Sequence, residues 1–450
     1  MIFFIYAAAF LLSLDNFPFM FGGGYKPLSL LFITLYVLFN IHKLLYLKFK
    51  RIEIIIFVIL TFSIVITVFE NMKNNYNFDG LIDATTSLMA GIVVYLGFKI
   101  FTQKHHQDET KFIKVFQWIV RGYGLALFVG VLQLIYIYIF PNGALREVIH
   151  LFVNRDAYAS ASRVHFTFSE PSFISLHTNL LLLPAVIILK NKGYLTKNHK
   201  IIVLSFFTIS LFSLSIRYFL DIFIFFIVYS IFTTHKKIFV KRFLAFMLAI
   251  FSILLILNVV FVQNVFHLNS DHFYRLSNII NKPSTVLEDT SFVIRSTYTE
   301  VGLESFSDRP LLGYGLGNFH YAYVDHLSEV DATALKQSEE LRNAVNNYSL
   351  AQYNMFTRML SELGVIGLLI LLLSIYFICS IKGKNLAKMI VILVIYSQLQ
   401  FDSLAFIQIY IWVALLQTKF ISNIKIENVS KKQHIIKKNI KGNRQSTAII

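Results

Sequence analysis

Apolar runs close to the length of a bilayer-spanning helix, about 17–25 residues, recur along almost the whole chain. They fall at roughly 1–14, 28–45, 52–69, 81–101, 115–140, 172–189, 201–215, 217–233, 243–262, 363–381, 386–402 and 404–420. Hydrocarbon offers no water to backbone N–H and C=O groups, so a spanning segment must pair its own, as a helix does. The expectation is therefore an all-α polytopic membrane protein with about twelve transmembrane helices. The two runs at 201–233 are short enough to form a re-entrant pair instead.

Composition points the same way. Mean hydropathy is +0.63, 56% of residues are hydrophobic and only 15% charged, whereas a soluble domain carries about 25%. The first stretch, "MIFFIYAAAFLLSLD", lacks the basic start of a signal peptide and is read as a first helix. The single cysteine, Cys379, excludes a disulfide within the chain and, lying in an apolar run, is expected to be a small core residue.

A net charge of +16 could suggest nucleic acid, but its distribution argues against such a partner. Basic residues gather in 42–51, 190–200, 235–242, 382–388 and the tail after Lys419. With twelve helices, all of these share one side with both termini, and the positive-inside rule makes that side cytoplasmic. The organisation expected is helices one to nine over 1–262 with a short external loop at 141–171, then a large external loop over 263–357. The last three helices occupy 358–420, and 421–450 is a basic cytoplasmic tail suited to anionic lipid head groups. A connection as long as 263–357 should carry its own helices. Apolar spacing places one at 290–308, a Pro/Gly-rich turn region follows at 309–323, and a more polar helix is expected at 332–345.

Ionisable residues near or within spans are the candidates for function. In "SLSIRYFLD" (213–221), Arg217 and Asp221 are i,i+4 partners. Arg217 is either a snorkelling arginine held by Asp221 or a fork turned into an external cavity to bind an anion. Arg121 reads as a snorkelling residue; Asp83 and Asp402 should lie near the outer surface. Arg163, Arg295 and Arg309 are external, and each is either a solvated charge or one of several arginines holding a diphosphate; Glu170, external too, stands with Arg163 on either side of "VHFTFS". "GYGLGNF" (313–319), with Gly315 in its middle, follows no strand and so is no dinucleotide loop. It is a tight turn or a backbone approaching a sugar or phosphate. No HExxH, paired CxxC or DxD occurs, so no metal site is indicated. His165, His320 and His326 read as scattered surface residues.

Four patches, in order, resemble the O-antigen polymerase and ligase superfamily of bacterial envelope enzymes. "RVHFTFSEPSF" (163–173) is similar to its arginine-then-Glu-Pro motif before a helix, and "SLSIRYFLDIF" (213–223) to the "SR" opening its shared C-terminal region. "IRSTYTEVGLESFSDRPLLGYGLGNF" (294–319) resembles the arginine helix and glycine-repeat segment of the large external loop. "YNMFTRMLSELGVIG" (353–367) resembles the segment that leads into the next helix. The resemblance implies a metal-independent, cofactor-free, inverting glycosyltransferase at the outer face of the bacterial inner membrane. Donor and acceptor are then undecaprenyl-diphosphate-linked oligosaccharides, with membrane lipids as surroundings and a chain-length regulator and a flippase as further partners. On these motifs Arg163, Arg217 and Glu170 are the catalytic candidates, Glu170 either as the base or as the group that positions Arg163. Arg295, Arg309, Tyr353, Asn354 and Gly315 are the substrate-binding ones. The ligase branch carries a histidine where this chain has Tyr353, which favours a polymerase of O-antigen, capsular or exopolysaccharide repeats. The alternatives are an O-antigen ligase acting on lipid A core, and a lipid-linked oligosaccharide flippase or other transporter.

Overall fold

The computed structural model describes residues 1–19, 25, 27–154, 163–233, 288–424 and 426, with single positions at 244, 248, 252, 255, 259, 263, 282 and 285. Apart from those positions, the run expected at 243–262, the first part of the large loop and most of the basic tail lie outside the described residues. Everything regular among the described residues is helical.

The membrane region opens with α1 (Ile2–Leu11), α2 (Leu28–Phe39), α3 (Arg51–Asn74), α4 (Asp79–Lys104) and α5 (Glu109–Leu134, prolonged by a π turn to Ile139). A short amphipathic α6 (Gly143–His150) follows, then α7 (Phe173–Lys192), α8 (Lys197–Ser210) and α9 (Ile216–Thr233). The segment expected to lie outside, called the outer region for that expectation, holds α10 (Thr290–Asp308), α11 (Phe319–Asp325), α12 (Ala332–Gln337) and α13 (Glu339–Asn343), and α14 (Met355–Cys379), α15 (Asn385–Gln398) and α16 (Ile407–Leu415) follow it.

Among the described residues, six of the twelve expected runs fold as helices long and apolar enough to cross a membrane: α3, α4, α5, α7, α9 and α14. α1, α2 and α15 are apolar but shorter, and α8 and α16 are interrupted early. Their apolar runs continue, but the backbone does not. Leu214 takes a left-handed φ of 48° after α8, and 399–406 leaves the helix after α15. These two unwound segments face each other and build the site.

The membrane core is closed by aromatic stacking and by small residues. Phe112 stacks on Phe420 with ring centroids 5.0 Å apart, and Phe116 stacks on Trp412 at 6.1 Å. Ser13 donates to the Gly122 carbonyl at 2.9 Å, a close approach that a small residue on α5 permits. Cys379, expected in the core, is instead exposed at the last residue of α14.

The outer region has a core of its own. Tyr298, on α10, meets Phe319 and Tyr323 edge-on at 5.7 and 5.6 Å, with Leu341 and Ala344 buried beside them. The expected helix at 332–345 is broken at Ser338, whose hydroxyl caps the next helix by accepting from the Leu341 N–H at 3.2 Å, a preferred serine role. His165, His320 and His326 are buried, contrary to the surface reading. Their Nδ1 atoms meet the Phe168 carbonyl, the Ala344 carbonyl and the Glu329 carboxylate. Burying a polar ring requires such partners, and only the folded chain supplies them. The region seats on the α3–α4 turn, where Tyr76 and Tyr321 stack at 3.7 Å.

Candidate functional site

Arg217 is the second residue of α9, three positions after the left-handed Leu214, and reaches the unwound segment between α15 and α16. Its terminal N–H donates to the Gln400 carbonyl at 2.7 Å, and its guanidinium lies flat over Phe401, 3.6 Å from the ring centroid. The expected i,i+4 partner is present, with Asp221 Oδ2 at 3.6 Å from Arg217 Nε. That is longer than a hydrogen bond, and Asp221 also accepts from the Tyr396 hydroxyl at 2.6 Å. The Nε–H of Arg217 is thus buried without a hydrogen-bond partner. Such an orphan needs a reason, and a bound anion is one.

Three other sequence candidates converge here. Arg295, from the start of α10, lies within electrostatic reach of Arg217, as does Glu170. Arg295 stacks on Tyr353 with 5.2 Å from guanidinium to ring centroid, and its own Nε is buried without a hydrogen-bond partner. Tyr353 is held at a left-handed φ of 63°, a strained conformation for a non-glycine residue. Its hydroxyl donates to Glu340 at 2.9 Å. Burial first, then the charges of Glu340 and Glu170, push that hydroxyl well above its ordinary pKa, so it stays a neutral donor. Glu170 accepts from the Ser172 hydroxyl at 3.1 Å, ahead of α7. Phe173, the first residue of α7, packs edge-on to Phe401 at 5.3 Å, tying that segment to the Arg217 platform.

The remaining candidates take other places. Arg163 is half-buried in the segment whose next residue, Val164, donates to the Phe212 carbonyl at 3.2 Å, beside the α8–α9 break. Asn354 caps α14, its side-chain oxygen accepting from the Phe356 N–H at 2.9 Å. Arg309 points elsewhere, with its guanidinium 4.0 Å from the Tyr314 ring centroid and 3.7 Å from Asp325. Gly315 is buried against the protein. A Cβ there would stand 2.8 Å from Asn318 Nδ2 and 2.9 Å from Thr67 Cγ2. The glycine segment wraps α14: Tyr314 and Gly315 donate to the Ser361 and Glu362 carbonyls at 3.0 and 2.7 Å, and the Gly317 N–H meets the Glu362 carboxylate at 2.7 Å.

Two buried networks escaped the sequence reading. Arg358, on α14, bonds Glu362 at 3.1 Å and the Asp402 carbonyl at 2.9 Å, while the Asp402 carboxylate accepts from the Gln352 N–H at 2.7 Å. Asp15 and His177 form a wholly buried pair at 3.2 Å, and the other Asp15 oxygen accepts from the Ser169 N–H at 3.0 Å. The i,i+4 spacing of Arg358 and Glu362 was a visible signal; Asp15 and His177 are too far apart in sequence to give one.

An apolar cleft of about 230 Å³ runs between α3, α4 and α14–α16. Met355 and Ser403 line it near the arginine site, and Glu53 and Phe377 line it at the other end of those helices.

These features define a multi-pass helical membrane protein with a cationic, aromatic-lined site where two broken helical pairs meet an outer region. Residues 164–372 match the family model described as O-antigen ligase, which supports the O-antigen polymerase and ligase superfamily for this stretch. A search of curated proteins finds no match.

Proposed function

We propose that the protein is a membrane glycosyltransferase that polymerises undecaprenyl-diphosphate-linked oligosaccharide repeats at the outer face of the bacterial inner membrane. The observation that carries this reading is the pair of arginines, Arg217 and Arg295, each with a buried unmatched Nε–H, beside Glu170 and Tyr353. Charge-assisted hydrogen bonds contribute roughly 1.5–3 kcal/mol each, and a departing diphosphate gains charge that preorganised donors stabilise.

In the proposed step, an acceptor sugar hydroxyl attacks the anomeric carbon of the donor glycan. The new C–O bond forms as the bond to the lipid diphosphate breaks, with inversion. The hydroxyl proton passes to Glu170, and undecaprenyl diphosphate leaves against Arg217 and Arg295, with Arg163 as a further contact. Tyr353 and Asn354 border the glycan side, and the apolar cleft suits part of the polyprenyl chain. No metal or cofactor takes part in this reading, and both termini are cytoplasmic.

The description of the matching family favours a second reading, an O-antigen ligase that transfers the glycan to lipid A core. Tyr353, standing where the ligase branch has histidine, favours the polymerase. A flippase gains no support from the family match. Deleting the gene separates the first two: a single repeat on lipid A core means a lost polymerase, and unattached polymer means a lost ligase. Reconstitution with a defined lipid-linked repeat tests the base, since E170Q should lower turnover by about 10²–10⁴-fold. Full turnover by E170Q would remove Glu170 from that role.

A further inference from the structure

At the opposite end of α10 from Arg295, the carboxylates of Glu304, Asp308 and Glu329 stand about one buried imidazole. Glu300, Glu304 and Asp308 follow at four-residue spacing, which places them along one helix face. His326 closes α11, and Glu329 ends the turn after it. The His326 Nδ1 lies 3.0 Å from Glu329 Oε2 and its Nε2 lies 3.4 Å from Asp308 Oδ2. Glu304 offers a carboxylate oxygen within 4.8 Å of one from Glu329.

Two observations set this group apart from an ordinary acidic surface. His326 is only 4% exposed, with Nδ1 facing Glu329 and Nε2, which makes no hydrogen bond, facing Asp308 on the other ring edge. And although the chain carries a net charge of +16, no lysine or arginine pairs with any of these four carboxylates among the described residues. Like charges gathered this closely repel unless a cation or a proton is held among them. One ligand atom each from Glu304, His326 and Glu329 lies within 4.8 Å of the others, and Asp308 flanks the second ring nitrogen.

We propose that Glu304, His326 and Glu329, with Asp308 beside them, bind a first-row divalent metal ion, Zn²⁺ in the first place, and that the ion pins α10 to α11. An imidazole among carboxylates suits Zn²⁺ better than Ca²⁺, which takes oxygen ligands. Nine residues separate Arg295 from Glu304, roughly 14 Å along a helix. The ion therefore braces the helix that carries Arg295 and takes no part in the arginine site, and the inference stands apart from the proposed glycosyl transfer.

The test uses untagged full-length protein in detergent, stripped with EDTA and titrated calorimetrically with Zn²⁺ and, separately, Ca²⁺. One equivalent of Zn²⁺ should bind at least tenfold more tightly than Ca²⁺, and the thermal unfolding midpoint should rise with Zn²⁺ and fall back with EDTA. E329Q, at an exposed position, and E304Q should each weaken binding at least tenfold, as should H326Q if it folds. Absence of saturable Zn²⁺ binding, binding unchanged by E329Q and E304Q, or equal affinity for Ca²⁺ would overturn the proposal. So would a cluster that responds to pH alone, which would mean that His326 is simply protonated among its carboxylates.

Discussion

Arg217 and Arg358 invite comparison because they do nearly the same thing. Both are largely buried, both have an acidic partner four residues on, and both donate to a carbonyl of the same unwound segment, Gln400 for one and Asp402 for the other. They differ in how completely they are satisfied. Arg358 uses its Nε–H on Glu362 at 3.1 Å and keeps the Asp402 carboxylate 3.8 Å away. Glu362 is in turn bonded by Gly317. Arg217 has its acid at 3.6 Å, shared with Tyr396, and an unmatched Nε–H. A saturated arginine holds a fold together, and an unsaturated one still has a donor to offer a ligand.

The comparison is most exposed to loss of Arg358. R358A leaves Glu362 buried without its countercharge, which should cost about 3–5 kcal/mol and show as a large fall in unfolding midpoint in detergent. A variant that unfolds like the parent would mean that Arg358 is not the structural member of the pair. R217K retains the charge but loses the planar fork. It should lower glycosyl transfer by about 10²-fold with a much smaller change in unfolding than R358A; the reverse pattern would exchange the two roles.

The clasp that Arg358 serves can be probed next. Gly364 interrupts α14 at a φ of 58°, and a Cβ there would stand 2.5 Å from the Pro310 carbonyl oxygen. G364A should destabilise by about 1–3 kcal/mol, read from the same unfolding curves, and unchanged stability would show that the glycine segment is not seated tightly on α14.

The smallest effect expected lies at the far end of α4, away from both arginines. Burial, then Lys111 and Lys104, pulls the His105 pKa down to about 4. The ring is neutral in the fold, so its contribution is full above the unfolded value of about 6.5 and is lost as pH falls toward 4. Because the site is partly exposed and screened, the increment should be about 1 kcal/mol or less. H105Q should flatten that part of the stability profile, and an unchanged profile would refute the assignment.

Much of the fold was readable from periodicity and composition. The long helices α3, α4, α5, α7 and α9, and α10 in the outer region, lie where apolar runs and spacing put them. Arg217 and Asp221 were recognisable because a helix brings residues four apart to one face. Arg121, expected to snorkel, lies over Trp118, 4.9 Å from its ring centroid. α14 begins at Met355 rather than at the start of the apolar run, 363: Asn354 caps it, and Arg358 and Glu362 pair inside its first turns. Apolarity alone could not register that compensation.

"GYGLGNF" shows the limit most clearly. Its glycines announced an unusual backbone, but a turn and a ligand loop need the same left-handed residues. The contacts with Thr67, Ser361 and Glu362 make it a clasp around α14.

What the sequence determined by itself was local. Chain hydrophobicity set helices in a membrane, basic loops set an orientation to expect, and the order of four motifs pointed to a family. Which charges are spent and which remain available was decided only in three dimensions. Gln400 reaches Arg217, Asp402 reaches Arg358, Asp15 reaches His177 and Asp308 reaches His326 from other segments of the chain, and a buried group's chemistry depends on the atoms packed against it.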